Sequence, residues 1–354
     1  MTSLRFNADY EMELFGQTRA PAIVNQSLEF LAFFLTEKPV FTNKFYSPEY
    51  LDYVERISGH RPQTVSTGVF ENYWGALKNI ELERWWNSKI TTTEFVINQG
   101  WCHHTFILKD LSDVQKVNWE RDYLLKDPFG MSGQRFRVIY QNMALKEKII
   151  LIENALKNGP IIMEPFLDRK FDFSQYVFPA EQRISYENIV DKNFQYKGSL
   201  FSDLTRPDYK SFSFFNLIHE KEWEIYEHQV QEIVNFFSKY KNELGYSIDS
   251  FIFEENEILK IRPLSEVNYR RTMGRVAYEL ALHYGQSRNW SMLSLVKSNP
   301  KINLRKKLES YLKNNNLILL SPGNTRFEII LLLAEDKSEG QKLMTRINEL
   351  LSNC

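Results

Sequence analysis

Cysteine is nearly missing from this sequence, whose 354 residues include only Cys102 and Cys354. Two cysteines cannot form the disulfide framework that stabilises small secreted domains, so a reducing compartment fits best. The N-terminal residues contain no basic stretch followed by an apolar run, and no apolar stretch approaches the roughly 18 residues that cross a bilayer. These absences predict a soluble, cytoplasmic protein with no membrane partner.

An excess of charge of one sign is also missing. Lys and Arg number 44 against 45 Asp and Glu, which leaves a net charge of −1. A protein that binds nucleic acid usually carries a basic surface, and so we expect no nucleic-acid partner. The hydrophobic fraction of 43% and the aromatic fraction of 14% are those of a folded globular chain. At roughly 150 residues per domain, the length predicts two or three domains.

The sequence does contain a segment in which polar and apolar residues alternate, just before a predicted helix. Residues 264–271 are Leu-Ser-Glu-Val-Asn-Tyr-Arg-Arg. Successive side chains of a strand point to opposite faces, so Glu266, Asn268 and Arg270 would share one face while Val267 packs on the other. Two oxygen ligands beside a cation suit Mg²⁺ and a phosphate. On these eight residues alone, an edge strand with a solvated polar face is an equally good interpretation.

Two other predicted strands end in candidate ligand-binding segments. The first, over residues 123–126, runs into a loop with Gly130 and Gly133, whose backbone N–H groups could approach phosphate oxygens. The spacing is not that of a Walker A loop, and an ordinary turn is the alternative. The second strand, over residues 161–164, leaves its sheet at a proline, and Asp172 follows where it could bond a ribose. A strand followed by a surface acid is the alternative there.

Asp249 would supply a third oxygen ligand if its strand pairs with the strand that holds Glu266. The sequence predicts such a hairpin, with a strand over 247–253, an acidic turn at 254–257 and a returning strand from 258. A solvated Asp249 is the alternative. Apolar periodicity and end signals predict the remaining elements, namely helices over 26–34, 47–59, 142–156, 220–244, 271–284 and 339–351 and strands over 39–41 and 327–334.

In their order and spacing, these segments resemble the ATP-grasp superfamily over about residues 85 to 285. The resemblance implies an α/β (α+β) protein with an ATP-grasp domain of two α+β subdomains in residues 86–290. A pre-ATP-grasp-like α/β domain would precede it in residues 1–85, and a small α/β appendage would follow in residues 291–354. The motifs that carry the resemblance are Lys89, Lys126 with its Gly-Met-Ser-Gly loop, Met163-Glu164-Pro165-Phe166-Leu167, Asp172, Asp249 and Glu266-Val267-Asn268-Tyr269-Arg270.

The resemblance also implies a role for each matching residue. Lys126 and Arg270 would be catalytic, and Asp249, Glu266 and Asn268 would hold the metal. The nucleotide would be bound by Lys89 and Lys126, by the phosphate loop of Gly130, Met131, Ser132 and Gly133, by Glu164, Phe166 and Leu167 at the adenine, and by Asp172 at the ribose.

The activity implied is that of an ATP-dependent ligase. It would activate a carboxylate as an acyl-phosphate, join it to an amine or similar nucleophile, and release ADP and phosphate. ATP and Mg²⁺ are the expected cofactors, with Mn²⁺ as a substitute, and the partners would be small-molecule or peptide carboxylates and amines. A homodimer is the commonest closed assembly. A kinase on the same scaffold and a non-catalytic nucleotide-binding module are the alternatives, the latter because the loop has only two glycines.

Overall fold

The chain folds around three β-sheets. A computed structural model describes residues 2–16, 21–129, 136–180, 182–239, 243–285, 288–297, 306, 308, 316–323, 325 and 327–352. The predicted phosphate loop, with Gly130, Met131, Ser132 and Gly133, lies outside the described residues. Within the described part, no helix has the length and apolar character needed to cross a bilayer.

The N-terminal segment is a small parallel sheet with its helices. Its strands, in the order β3-β2-β1-β4, are β1 (Ser3–Arg5), β2 (Val40–Phe41), β3 (Thr64–Val65) and β4 (Phe70–Asn72). Its helices are α1 (Tyr10–Leu14), α2 (Pro21–Leu28), a 3-10 helix (Glu29–Phe34) and α3 (Pro48–Ser58). Helix α3 confirms its predicted signals, because the hydroxyl of Ser47 accepts a hydrogen bond from the Tyr50 N–H and Gly59 ends the helix at φ +78°.

The second sheet is antiparallel and packs against an amphipathic helix on one face. Its strands, in the order β5-β8-β6-β7, are β5 (Phe106–Leu108), β6 (Tyr123–Lys126), β7 (Arg137–Ile139) and β8 (Ile161–Pro165). The accompanying helices are α4 (Ile80–Asn87), α5 (Lys89–Asn98), a 3-10 helix (Leu111–Lys116) and α6 (Leu145–Leu156). Ile152 of α6 packs against Tyr123 and Met163, which leaves the other face of the sheet for the side chains of Lys126 and Glu164.

The third sheet holds the remaining strands, all antiparallel to their neighbours. Their order is β13-β12-β9-β10-β11-β14-β16-β15. They are β9 (Asp168–Val177), β10 (Arg183–Val190), β11 (Tyr196–Phe201), β12 (Tyr246–Glu255), β13 (Ile258–Asn268), β14 (Trp290–Lys297), β15 (Leu317–Leu319) and β16 (Phe327–Ala334). The helices are α7 (Glu220–Phe237), α8 (Met273–Gly285), α9 (Lys337–Ser352) and two 3-10 turns (Tyr209–Ser211, Phe215–Leu217).

Two predicted helices differ from the structure. The apolar run 26–34 changes from α-helix to 3-10 helix at Glu29, because all of Phe30 to Phe34 is buried and the run has no solvent face to set an α-helical period. The helix predicted over 220–244 ends at Phe237, after its last apolar side chain in the core, and Gly245 at φ +79° precedes β12 instead of ending the helix.

The predicted hairpin is confirmed and is closed by a tight turn. Asn256 and Glu257, at φ +52° and +63°, are the two residues between β12 and β13. Positive φ at both positions is the type I′ geometry, whose twist matches that of long paired strands. The hairpin therefore spaces Asp249 and Glu266 widely in sequence but places them opposite each other.

The strands of residues 291–354 extend the third sheet. β14 pairs with β11, and Gly198 opposite Ser294 has no room for a side chain, since a Cβ there would lie 2.2 Å from the Leu293 carbonyl oxygen. The division into domains at residues 85 and 290 stays a prediction.

Helix α8 provides a test of the close packing beneath the cavity described below. A Cβ at Gly274 would lie 2.1 Å from the ring of Tyr186, whereas a Cβ at Gly285 of the same helix would meet its nearest neighbour at an ordinary 3.8 Å. We expect Gly274→Ala to lower the free energy of unfolding by about 1–3 kcal/mol, because overpacking outweighs the higher helix propensity of alanine. Urea unfolding measures this, with Gly285→Ala as the matched control. Equal stability of the two variants would contradict the packing argument.

Candidate active site

One cavity of about 280 Å³ lies between the second sheet, the third sheet and the start of α8. Side chains from both sheets line it, and so do Trp74 of the N-terminal segment and the first residues of α8. All the predicted site residues within the described part of the chain line this cavity, namely Lys89, Lys126, Glu164, Phe166, Leu167, Asp172, Asp249, Glu266, Asn268 and Arg270. Residues chosen from five separate stretches of sequence therefore meet in one place.

The predicted metal-binding residues are brought together by strand register. Asp249 of β12 lies opposite Glu266 of β13, and the amide Nδ2 of Asn268 donates to Asp249 Oδ2 at 2.8 Å and to Glu266 Oε1 at 3.5 Å. Val267 packs in the core on the opposite face, which confirms the predicted alternation. The strand register shifts between Asp249 and Phe251, and Leu264 packs in the core with Val267.

The two facing carboxylates differ in charge balance. Burial and the adjacent Glu266 raise the pKa of Asp249 to about 6. Burial also disfavours the charged form of Glu266, but Lys89 Nζ lies 2.7 Å from Glu266 Oε2 and lowers the pKa of Glu266 below its usual value. Ser174 and Ser247 donate their hydroxyls to Asp249 Oδ1 at 2.7 and 3.0 Å. Asp249 thus has hydrogen-bond donors but no direct cation partner among the described residues.

This donor set fits a hard divalent cation. Two carboxylates and an amide oxygen are ligands that Mg²⁺ takes from proteins, and a bound cation would relieve the repulsion between the two carboxylates. Asn268 Oδ1, which accepts a hydrogen bond from Arg270, would have to turn toward the cation. Among the residues that the structure describes, no three His, Cys, Asp or Glu side chains cluster as a metal site would, so a cation here would have to be held by two carboxylates and the amide.

Arg270 reaches the same cavity from just beyond β13. Its Nη2 donates to Asn268 Oδ1 at 2.9 Å, and its Nε and Nη2 donate to Glu11 Oε1 at 2.8 and 2.5 Å. Burial disfavours its charge, but Glu11 raises the pKa of Arg270 above its usual value. The guanidinium also lies 5.6 Å from the ring centroid of Trp74. The Arg270 guanidinium is thus fixed beside the carboxylate pair by Glu11 of α1 in the N-terminal segment.

Another part of the cavity wall is formed by the segment predicted to bind adenine and ribose. Lys126 pairs with Glu164, and Arg262 Nη2 lies 3.8 Å from the other carboxylate oxygen of Glu164. Burial opposes the charge of Glu164, but these two cations lower the pKa of Glu164. Asp172 pairs with Arg169; burial raises the pKa of Asp172, and Arg169 opposes that rise.

Several residues in or next to the site were not predicted from the sequence. Ser174 is two residues after Asp172, so extending the strand alternation along β9 would have indicated it. Alternation along β13 would not have indicated Arg262, because the register shift places Leu264, between Arg262 and Glu266, in the core. Glu11 gave no such signal, because it lies in a short helix 259 residues from Arg270. Arg169 also gave none, since its spacing of three from Asp172 is wrong for a regular strand.

Comparison with known proteins identifies the fold. No protein-family model and no curated protein matches the chain. Among solved structures, the N5-carboxyaminoimidazole synthetase of Staphylococcus aureus aligns with a TM-score of 0.56 and 12% identity, over 97% of this chain and 95% of that one. The N5-carboxyaminoimidazole ribonucleotide synthetase of Thermus thermophilus aligns at 0.53 with 14% identity, over 99% of each chain. The chain has the ATP-grasp fold.

That fold is shared along nearly the whole chain. The S. aureus enzyme has also been solved with ADP, and that structure aligns with a TM-score of 0.54 and 12% identity over 98% of this chain and 96% of that one. The expected ATP-grasp architecture is therefore confirmed. The roles of the individual cavity residues stay predictions.

The carboxylate pair gives a prediction about stability. We expect Asp249→Asn to stabilise the metal-free protein at pH 7.5 by roughly 1–3 kcal/mol, since the native pKa of Asp249 is raised from 3.8 to about 6. An acid whose folded-state pKa is raised costs nothing below its unfolded pKa, and the cost grows until the pH exceeds the folded pKa. The gain should therefore shrink as the pH falls from about 7 toward 4. Urea unfolding with a chelator across this range measures it.

The matched control is Asp168→Asn, an exposed aspartate on β9. It should change the free energy of unfolding by less than about 0.5 kcal/mol at each pH. An Asp249→Asn protein no more stable than the parental chain at pH 7.5 would show that the two carboxylates do not repel.

Proposed function

We propose that this protein is an ATP-dependent ligase that activates a carboxylate as an acyl-phosphate and joins it to an amine or similar nucleophile. The observation that supports this most directly is the convergence of the sequence-predicted lysines, hinge, acids, asparagine and arginine on one cavity. A structural neighbour from Aspergillus clavatus, with a TM-score of 0.52, has been solved with ADP and 5-aminoimidazole ribonucleotide, an amine. This supports a nucleotide and an amine as substrates for the shared fold.

The first step would be phosphoryl transfer from ATP to the carboxylate. A carboxylate oxygen attacks the γ-phosphorus, a P–O bond forms, and the bond to the leaving ADP breaks. A carboxylate is already a nucleophile at neutral pH, so no general base is needed. Catalysis of such a step rests on positioning and charge neutralisation, for which Lys89, Lys126 and Arg270 are suited.

The metal ligands would be Asp249, Glu266 and Asn268. A divalent cation bound there would supply positive charge against the ATP phosphates. Lys89 would support this arrangement because it already neutralises Glu266, at 2.7 Å. Glu266 thus stays ionised at neutral pH and keeps its capacity to bind a cation.

In the second step the amine would attack the acyl carbon. A C–N bond forms, the amine loses a proton, and inorganic phosphate leaves. Arg270 is the residue suited to stabilise the negative charge that develops, because it is buried at the cavity wall and held in place by Glu11 and Asn268.

Loss of the metal ligands gives the decisive test. We expect Glu266→Gln with Asn268→Ala to lower Mg²⁺-dependent ATP turnover by at least about 100-fold, because the ligand set loses one charge and one oxygen donor. The assay measures ADP release with Mg²⁺ and pooled amino acids, small amines and peptides, followed by mass analysis of the products. Circular dichroism and thermal unfolding confirm that the variant is folded.

The control is Glu232→Gln with Asn235→Ala on the surface of α7, which changes the same residue types away from the cavity. It should keep parental turnover. Parental turnover in the Glu266/Asn268 variant would show that the metal assignment is wrong. A phosphorylated product with no condensed second substrate would indicate a kinase, and nucleotide binding without turnover of any acceptor would indicate a binding module.

A further inference from the structure

Strand β9 contains an irregularity next to the nucleotide end of the cavity. Residues three apart in a regular strand point to opposite faces. The pairing of β9 with β12 shifts between Ile252 opposite Phe171 and Phe253 opposite Arg169, so Lys170 is an extra residue on β9. This bulge turns Arg169 onto the same face as Asp172, where the two side chains form an ion pair and both line the cavity.

Two aromatic rings hold the Arg169 guanidinium. It lies 4.0 Å from the ring centroid of Phe251 and 5.3 Å from that of Phe194. Phe194 has a φ of +58°, a backbone conformation that a bulky residue rarely adopts. The turn between β10 and β11 enforces this conformation, since Asp191 Oδ1 accepts hydrogen bonds from the backbone N–H groups of Asn193 and Gln195 at 2.9 and 3.1 Å.

These contacts fix the orientation of the Asp172 carboxylate. Arg169 Nη2 donates a hydrogen bond to Asp172 Oδ1, and the rings of Phe194 and Phe251 keep the guanidinium from rotating away. Lys126 is the other cation that acts on Asp172, while the residues opposite Asp172 on the neighbouring strands, Asn188 and Phe251, are uncharged. Without Arg169, a carboxylate this buried would lose its closest positive partner and a defined rotamer.

We propose that Arg169 is a positioning residue that makes nucleotide binding depend on the ribose hydroxyls. Arg169 fixes one oxygen of Asp172, so that the carboxylate presents its acceptor capacity to a ribose in the cavity. A nucleotide without those hydroxyls then leaves a buried acceptor unsatisfied, which is the strongest way for a site to reject an analogue. This inference rests on the proposed nucleotide site and adds a selectivity for ribonucleotides.

The test compares ADP with 2′,3′-dideoxy-ADP, each titrated calorimetrically with Mg²⁺. We expect the parental chain to bind ADP at least about tenfold more tightly than the dideoxy analogue, in line with one or more unmade hydrogen bonds to a charged group. In Arg169→Met the ratio of the dissociation constants of the dideoxy analogue and ADP should fall close to one, mainly through weaker binding of ADP. Arg169→Lys keeps the charge but not the stacked planar fork, and should retain part of the ratio.

The matched control is Lys170→Met, which removes the neighbouring cation of the same strand. Lys170 pairs with Asp168 and Glu254 and does not line the cavity. It should keep the parental ratio. Should Arg169→Met not fold, Phe194→Ala provides the second measurement, since loss of one stacking ring should lower the ratio.

The outcomes separate this inference from the proposed function. An unchanged ratio in Arg169→Met, including one in which the affinities for both ligands fall equally, would overturn the role of Arg169. A parental chain that binds ADP and its dideoxy analogue equally would also overturn it while leaving the nucleotide site intact. A folded parental chain that binds neither ligand would overturn the nucleotide site itself.

Discussion

The pairing of Asp249 with Glu266 across the β12–β13 hairpin is the constraint around which this site is arranged. Two half-buried carboxylates placed side by side repel each other, and residues from several elements of the fold offset that cost. Lys89 comes from the start of α5 and Ser174 from β9, while Asn268 continues the same strand. The hairpin can hold its two acids side by side only when each of these three residues is in place. The electrostatics of this strand pair therefore depend on the packing of the neighbouring elements.

The same requirement extends to the N-terminal segment. Arg270 adds a second buried cation beside the carboxylates, and its own partner is Glu11 of α1. Removing one member of a buried ion pair leaves the other uncompensated, at a cost of about 3–5 kcal/mol. The small parallel sheet is therefore coupled to the cavity through the carboxylate of Glu11, which no sequence motif predicted.

Periodicity and register explain what the sequence predicted well. The hairpin was predictable because apolar residues, an acidic turn and the alternation from Glu266 to Asn268 all agree on one strand pairing. The predicted site residues within the described part of the chain all line one cavity, and their roles there stay predictions. Arg169 and Glu11 were not predictable, since one depends on a bulge that shifts the alternation and the other on contact between distant segments. The change from α-helix to 3-10 helix at Glu29 depends on burial from all sides, which a helical pattern does not encode.

The pairing of β14 with β11 has a practical consequence. Gly198 lets the two backbones approach closely, and the bonded strands continue through β16 to β15, so the large sheet runs past residue 290 without an interruption. A fragment that stops at residue 290 would expose the edge of β11, a row of unsatisfied N–H and C=O groups able to recruit strands from other molecules. Such a fragment would aggregate, and recombinant work on the cavity region should keep the C-terminal strands.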